Sequence, residues 1–377
     1  MLNLFYSKIK KTDWVIVLAM LPIFTAGLLT MSSLGQDDSY FLKQSIWIMV
    51  SVIVFFVASF SEYRFLKRTD IVSFLYVFFL LILTLLFLLG HISKGAQSWF
   101  SVGGVAFQPV DLMKLTLIIL LAKYFSRRHI EIANIRHIIV SGIYALIPFV
   151  LVALQPDFGS AIIIFAIWFG MVLVSGISKK HLLLVISIVA ISFLLLWNFA
   201  FKPYQKARIM NFIYPLADIR GTGYNAYQST IAVGSGGLFG KGIGYGTQSR
   251  LNYLPEYQTD FIFAAFAEEW GYVGVIFILI FYLLIFYRLI KFAYFGQSNF
   301  ESLFTYGIII WLFIHITINI GMNIGVMPVT GIPLPLMSYG GSHLLAECLA
   351  LGMCMGMAHY RRAAHRSSMK NEFLGLE

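Results

Sequence analysis

The sequence predicts an all-α fold: a polytopic integral membrane protein with about ten transmembrane helices and a large extracytoplasmic loop between helices 7 and 8. Three observations predict it. Of 377 residues, 59% are hydrophobic and only 12% are charged, about half the charge of ordinary soluble domains, and the mean hydropathy is +0.82. So little charge cannot coat a water-exposed surface, which excludes a soluble enzyme. Chains that stay unfolded are poor in large apolar residues, which excludes disorder. Apolar stretches of about 20 residues, the length that crosses a bilayer, recur along the chain. Lys and Arg gather in short runs between them.

The stretches begin near Trp14, Gln44, Ile71, Val110, His137, Gly159, His181, Phe261, Phe304 and Gly341. The first follows Lys8, Lys10 and Lys11 and lacks a small-residue cleavage site, so it reads as a span and not as a removed signal peptide. The fourth is the least apolar because Asp111 and Lys114 lie in it. Only Gln155-Pro156-Asp157 separates the fifth from the sixth. Lys and Arg mark the cytoplasmic side, and one side receives Arg64, Lys67, Arg68, Lys123, Arg127, Arg128, Arg136, Lys179, Lys180, Arg288, Lys291 and the basic C-terminal segment. Short loops on the other side offer only Lys43 and Lys94. Both termini are therefore expected in the cytoplasm, in a bacterial inner membrane once the resemblance below is added.

The net charge of +10 follows from these topology signals and does not imply nucleic acid. Cys348 and Cys354 lie on different faces of one apolar segment and read as buried apolar residues. The chain forms a single transmembrane domain, 1–377, and residues 201–259 are its long outer loop. Within that loop, Gly234 to Gly244 carries a Gly-Lys without the Ser or Thr of a phosphate-binding loop. Either the glycines supply positive φ and close packing, or their amides and Lys241 bind an anion.

An ionisable side chain at bilayer depth costs several kcal/mol and is a functional candidate by default. The set is Asp111, Lys114, Asp157, Asp260, Glu268, Glu269 and Glu347. Asp111 and Lys114 share a helix face; on one continuous helix Glu268 would lie about 80° around from Asp260, and Glu269 about opposite it. A polar pocket open to the outer face is expected to collect Asp111, Lys114, Asp157 and Asp260. In the structural alternative Asp111 and Lys114 neutralise each other while Asp157 and Asp260 cap helix N-termini. His129, His137, His181, His359 and His365 fall at the cytoplasmic side, and His315 is a packed polar residue. The uncharged, proline-containing segment Met327 to Ser342 reads as an ordered loop walling a cavity.

The chain resembles the SEDS family (shape, elongation, division and sporulation), its RodA branch more than its FtsW branch. The resemblance rests on Lys94-Gly95-Ala96-Gln97-Ser98-Trp99, Phe107-Gln108-Pro109, Leu154-Gln155-Pro156-Asp157-Phe158-Gly159-Ser160, Gly223-Tyr224 with Gln228-Ser229, and Ala232 to Gly242. It continues through Gly246-Thr247-Gln248-Ser249, Leu254-Pro255-Glu256, Thr259 to Ala264 with Glu268-Glu269, and the Met327 to Ser342 loop. The Gly-Ser-Gly-Gly-Leu-Phe-Gly-Lys-Gly and Gly-Thr-Gln-Ser forms favour RodA. Two departures stand out. Gln108-Pro109-Val110-Asp111 replaces the usual Gln-Pro-Ser-Glu, and Gln258-Thr259-Asp260 replaces His-Thr-Asp.

The resemblance implies a peptidoglycan glycosyltransferase that polymerises lipid II at the outer face of the cytoplasmic membrane, releases undecaprenyl pyrophosphate, and works with a class B penicillin-binding protein and other elongation-complex proteins among membrane lipids. It implies Asp260 as the catalytic aspartate and Lys114 as a cavity lysine. The chemistry needs a base for the acceptor 4-hydroxyl, which suits Asp260, and positive charge for the departing pyrophosphate, for which Lys114, Arg208 and Lys241 are candidates. Trp99, Gln108, Asp111, Asp157 and Glu268 complete the substrate-binding candidates. No tightly bound cofactor is expected; Mg²⁺ or Mn²⁺ on Asp111, Asp157 and Asp260 stays open. A lipid-linked precursor flippase would instead carry ionisable residues near the midplane, with access to both sides, and a purely structural transpeptidase partner would leave the outer charges unexplained.

Overall fold

In hydrocarbon a backbone can satisfy its own polar groups only as a helix or a closed barrel, and each of the ten apolar stretches is a helix. The structure, a computed structural model, describes residues 12–34, 39–89, 91–93, 96–102, 105–127, 135–199, 201–251 and 253–374. Lys8, Lys10, Lys11, Lys94, Arg128 and His129 lie outside the described residues, as do the side chains of His359 and His365. The order is α1 (Trp14–Leu34), α2 (Ser39–Ser59), a 3-10 turn (Arg64–Lys67), α3 (Thr69–Leu89), β1 (His91–Ser93), β2 (Ala96–Val102), β3 (Val105–Phe107), α4 (Pro109–Ser126), α5 (Ile135–Leu154), α6 (Phe158–Ser175) and α7 (Lys179–Phe199). Then come α8 (Pro203–Ile213), α9 (Tyr224–Ser235), α10 (Thr247–Arg250), α11 (Ile262–Tyr294), α12 (Asn299–Asn323) and α13 (Gly341–Leu374).

Among the described residues nine helices are long and apolar enough to cross a membrane. The tenth expected span, α4, falls short because its 18 residues include Asp111, Lys114 and Lys123. Burial compensates, since 14 of the 18 are buried where α3, α6 and α12 pack around it. At the other extreme α7 buries only Val185. The α2 and α13 spans approach closely, because Gly352 presents no side chain to the Phe55 carbonyl oxygen, which would lie 2.5 Å from an added Cβ. Small residues serve this purpose where lipid removes the hydrophobic drive between helices.

Chain alternation puts the ends of α3, α5, α7 and α12 and the starts of α4, α6, α11 and α13 at one end of the bundle, with the outer-loop segment and the segment 324–340. This loop-rich end also carries something not expected in an all-α reading. Strands β1, β2 and β3 form a small antiparallel sheet, in which Trp99 lies opposite His91. The segment between α3 and α4 is too short for another span, and strand pairing satisfies its backbone groups locally. Arg64, Lys67, Lys123, Lys179, Lys180, Arg288 and Lys291 all fall at the opposite end, so these basic residues of the short loops share one side of the bundle. There Arg288 pairs with Asp13 across α1 and α11, and Lys67 with Glu301 at 3.5 Å.

The outer loop is built around a break in α11. Gly271, with φ 65° and ψ −166°, interrupts the helix, and the backbone groups freed there pair with the glycine run. Lys241 N donates to the Glu268 carbonyl and Gly242 N to that of Glu269, both at 3.0 Å, while Tyr272 N and Val273 N donate to Gly237 and Leu238 carbonyls at 2.9 and 3.1 Å. Of the two functions open for the glycines, close packing is the one observed: a Cβ on Gly240 would overlap the Glu269 carbonyl oxygen, and these amides are spent within the protein. Gly271→Ala forces an unfavourable φ and meets Leu238, so it is expected to destabilise the protein by about 1–3 kcal/mol. Thermal unfolding in detergent measures it, with Gly234→Ala as control because no atom lies within 4 Å of a Cβ there. Equal melting of the two variants would show that the break carries no strain.

Candidate active site

Each ionisable residue of the loop-rich end is set by the element that begins there. Pro109 opens α4 at its first position, where the missing N–H is no loss, and this puts Asp111 and Lys114 in the first turns. Lys114 Nζ donates to Asp111 Oδ1 at 3.0 Å, and both residues are 2% exposed. Three residues before α6, Gln155-Pro156-Asp157 turns the chain so that Asp157 caps the helix, its Oδ1 accepting from Ser160 N at 3.0 Å. Gln108 Nε2 donates to the other oxygen, Oδ2, at 3.1 Å. Gln108 and Asp157 are thus brought together, and both are half-buried.

Asp260 stands in a turn before α11, whose cap is Phe261 with no side-chain bond. It therefore neither caps the helix nor lies on it, and the helical angles expected between Asp260, Glu268 and Glu269 do not apply. Its position is fixed through the backbone. Asn319 Nδ2 and Asn323 Nδ2 donate to the Asp260 carbonyl at 3.0 and 3.1 Å, Ser338 Oγ to that of Thr259 at 2.6 Å, and Tyr339 N to that of Gln258 at 2.8 Å. The side chain is half-buried, with Gly331 beside it: a Cβ there would lie 3.4 Å from Asp260 Oδ2. The same loop touches α6, since a Cβ on Gly159 would lie 2.8 Å from the Thr330 carbonyl oxygen. Segment 330–332 thus reaches from the start of α6, beside the Asp157 turn, to Asp260.

The expected open pocket holding all four charges is corrected here. Asp157 and Asp260 reach the half-buried rim, whereas Asp111 and Lys114 are sealed beneath it. Glu268 and Lys241 form a separate centre. The Glu268 carboxylate is 0% exposed; its Oε1 accepts from Lys241 Nζ at 2.7 Å, Thr247 Oγ1 at 3.1 Å and Gln248 N at 3.0 Å, and its Oε2 from Ser249. Every one of these bonds ties α11 to the outer loop, and Glu269 Oε1 accepts from Gly244 N of that loop at 2.6 Å and from Ser33 Oγ of α1 at 2.8 Å. Arg208 stands exposed on α8, and Trp99 is half-buried on β2, whose sheet adjoins α4 and α13.

Sequence reasoning left out several buried polar residues of this end. Asn319 and Asn323 are 0% exposed, and an i, i+4 asparagine pair in an apolar span was their available signal. His343 and Gln44 are also buried. Gln44 Nε2 donates to the Ser338 carbonyl at 3.1 Å, and His343 lies between Asp111 and Glu347. Among the described residues no three His, Cys, Asp or Glu are grouped to hold a metal ion. Asp111 Oδ1 faces Lys114, and the Asp157 oxygens accept from Ser160 and Gln108.

The sequence model of the FtsW/RodA/SpoVE family, described as cell cycle protein, matches residues 9–363. The chain belongs to this family. Among FtsW/RodA/SpoVE relatives it is 33% identical over 363 residues to peptidoglycan glycosyltransferase MrdB of Escherichia coli strain K12, covering 96% of this chain and 97% of that one. It is 34% identical to stage V sporulation protein E of Bacillus subtilis, covering 94% and 99%. The fold is similar to Thermus thermophilus rod shape determining protein RodA, with TM-score 0.70, 30% identity and coverage of 93% and 97%. It is also similar to a chain in a structure concerning the coordination of polymerization and crosslinking by a peptidoglycan synthase complex, with TM-score 0.79, 31% identity and coverage of 93% and 98%.

Proposed function

We propose that this protein polymerises lipid II into the glycan strands of peptidoglycan at the outer face of the bacterial cytoplasmic membrane, for cell elongation and rod shape. The observation that carries it is full-length membership of a family with relatives named peptidoglycan glycosyltransferase. The ionisable set Asp111, Lys114, Asp157, Asp260 and Glu268 lies at the end of the bundle opposite the basic short-loop residues Arg64, Lys67, Lys123, Lys179, Lys180, Arg288 and Lys291, which agrees with it, and this end is then the outer one. Asp260 takes the proton of the acceptor 4-hydroxyl as that oxygen attacks the anomeric carbon. Lys114 stabilises the charge that develops on the departing pyrophosphate. Because Lys114 is shut from solvent, the donor reaches it only when the covering elements part. Gln108 and Asp157 at the rim bind sugar hydroxyls, while Lys241 and Glu268 serve the site by holding the outer loop. Arg208, exposed on α8, meets the donor on its way in.

Reconstitution of the purified protein with lipid II tests the proposal. Glycan polymer is the expected product; transbilayer movement of lipid II in vesicles without polymer would replace it with a flippase.

A class B penicillin-binding protein is the proposed partner. The outward face of α11 carries Ile276, Phe277, Ile280, Leu283, Leu284 and Tyr287, all exposed, at the i, i+1, i+4, i+7, i+8, i+11 spacing of one helical stripe. Charged substitutions along this stripe and the neighbouring surface of α12 are expected to abolish co-purification with the transpeptidase. Melting in detergent should stay within a few degrees, because the stripe has no partner inside the fold. A complex that survives the whole scan would move the partner elsewhere.

A further inference from the structure

Beneath the rim lies a chain of buried charge that the polymerisation steps do not use in full. Lys114 and Asp111 come from α4, His343 and Glu347 from one face of α13. His343 Nδ1 lies 3.5 Å from Asp111 Oδ1, and His343 Nε2 lies 2.8 Å from Glu347 Oε1. Glu347 Oε2 in turn accepts from Leu336 N at 2.9 Å. None of the four side chains exceeds 6% exposure. On the open face of the ring His315 stacks at a centroid distance of 4.8 Å, and Trp311 closes the end.

The far end of this chain is the loop that fixes Asp260. Leu336 sits at φ 62°, a strained conformation for a residue with a side chain, of the kind held only when surroundings over-determine it. Two bonds hold the turn on either side of it: Leu334 N donates to Ser338 Oγ at 2.8 Å, and that hydroxyl donates to the Thr259 carbonyl at 2.6 Å. Asn319 joins the same loop, at the Ile332 carbonyl, to the Asp260 carbonyl at 2.7 and 3.0 Å. Hydrogen bonds and close approaches therefore run from Lys114 through Asp111, His343 and Glu347 to Leu336, and the turn containing Leu336 leads along the chain to Ser338, which holds Thr259 next to Asp260. The two ring nitrogens of His343 thus lie within 3.5 and 2.8 Å of carboxylate oxygens from α4 and from its own helix, so the ring fills the space between Asp111 and Glu347.

We propose that His343 and Glu347 are positioning residues, which lock the Asp111–Lys114 pair and the Asp260 segment into one register. This rests on the roles given above to Lys114 and Asp260. A hydrophobic pair would fill the same volume at less desolvation cost, but it would leave Leu336 N without its acceptor and Asp111 without its second neighbour. The two reacting ends would then be free to drift, and a misplacement of about 1 Å far from the chemistry can lower a rate about 10²-fold.

The test compares His343→Gln, Glu347→Gln and the double variant His343→Leu with Glu347→Leu, in the intact protein with its transpeptidase. Glu347→Gln keeps shape and one acceptor, so it guards against simple unfolding. The expected result is turnover of lipid II lowered about tenfold or more in all three, with KM for lipid II and melting temperature near wild type in Glu347→Gln. The double variant should melt at or above wild type and still polymerise slowly. Normal turnover in a folded Glu347→Gln, or full activity regained in the double variant, would overturn the proposal and leave the four residues as packing. Lys114→Met is run beside them; full activity there would instead remove the role given to Lys114, whatever His343 and Glu347 do.

Discussion

Asp260→Asn is expected to lower glycan polymerisation by roughly 10² or more, with insertion, melting and partner binding unchanged. The substitution keeps volume and a hydrogen-bonding oxygen and removes only basicity. The backbone of residue 260 is held at its carbonyl, which accepts from Asn319 and Asn323 at 3.0 and 3.1 Å and is the same in wild type and variant. Single-turnover assays on lipid II with the Asn variant give the rate. A well-inserted variant that polymerises at near the wild-type rate would hand the base to another group at the rim, of which Asp157 is the nearest in kind. Changing the anchors separates chemistry from placement: Asn319→Ala should also slow polymerisation, but with a lower melting temperature, since two buried carbonyls lose a donor.

The second large effect concerns Lys114. If its charge served only to neutralise Asp111, replacing both by apolar side chains would be tolerated, because a buried ion pair often adds little net stability. A lysine that also meets the donor pyrophosphate is needed for its charge even without Asp111. Lys114→Met alone and Lys114→Met with Asp111→Leu are therefore both expected to be inactive. The single variant leaves a buried carboxylate with His343 as its remaining neighbour and should be the less stable of the two, by up to about 3 kcal/mol. Lys114→Arg should keep partial activity, as it retains charge in a larger planar group that the sealed site accommodates poorly. Activity regained in the double apolar variant would make Lys114 a structural residue.

Composition and periodicity determined the spans because hydrocarbon gives an apolar stretch of about 20 residues no alternative to a helix. Ten starts, the low hydropathy of α4 and the turn at Gln155-Pro156-Asp157 were all legible for that reason, and the basic residues share one end of the bundle because topology signals are local in sequence. The Asp111–Lys114 pair was legible too, since i, i+3 neighbours meet on any helix. Long-range placement was not. Nothing in Asp260, Asn319 and Ser338, far apart along the chain, says that they meet at one turn, nor that His343 bridges α13 to α4. The break at Gly271 and its repair by the glycine run depend on a loop folding back from residues 237–242, which a helical-angle estimate across residues 260–269 cannot contain. The sequence by itself determined which segments cross, which charges sit near one end, and the family. Only the tertiary structure decided that Lys114 and Asp111 lie sealed below the rim, that Glu268 and Lys241 hold the loop, and that His343 and Glu347 stand between Asp111 and the turn at Leu336, because side-chain partners between helices are chosen by packing and not by local order.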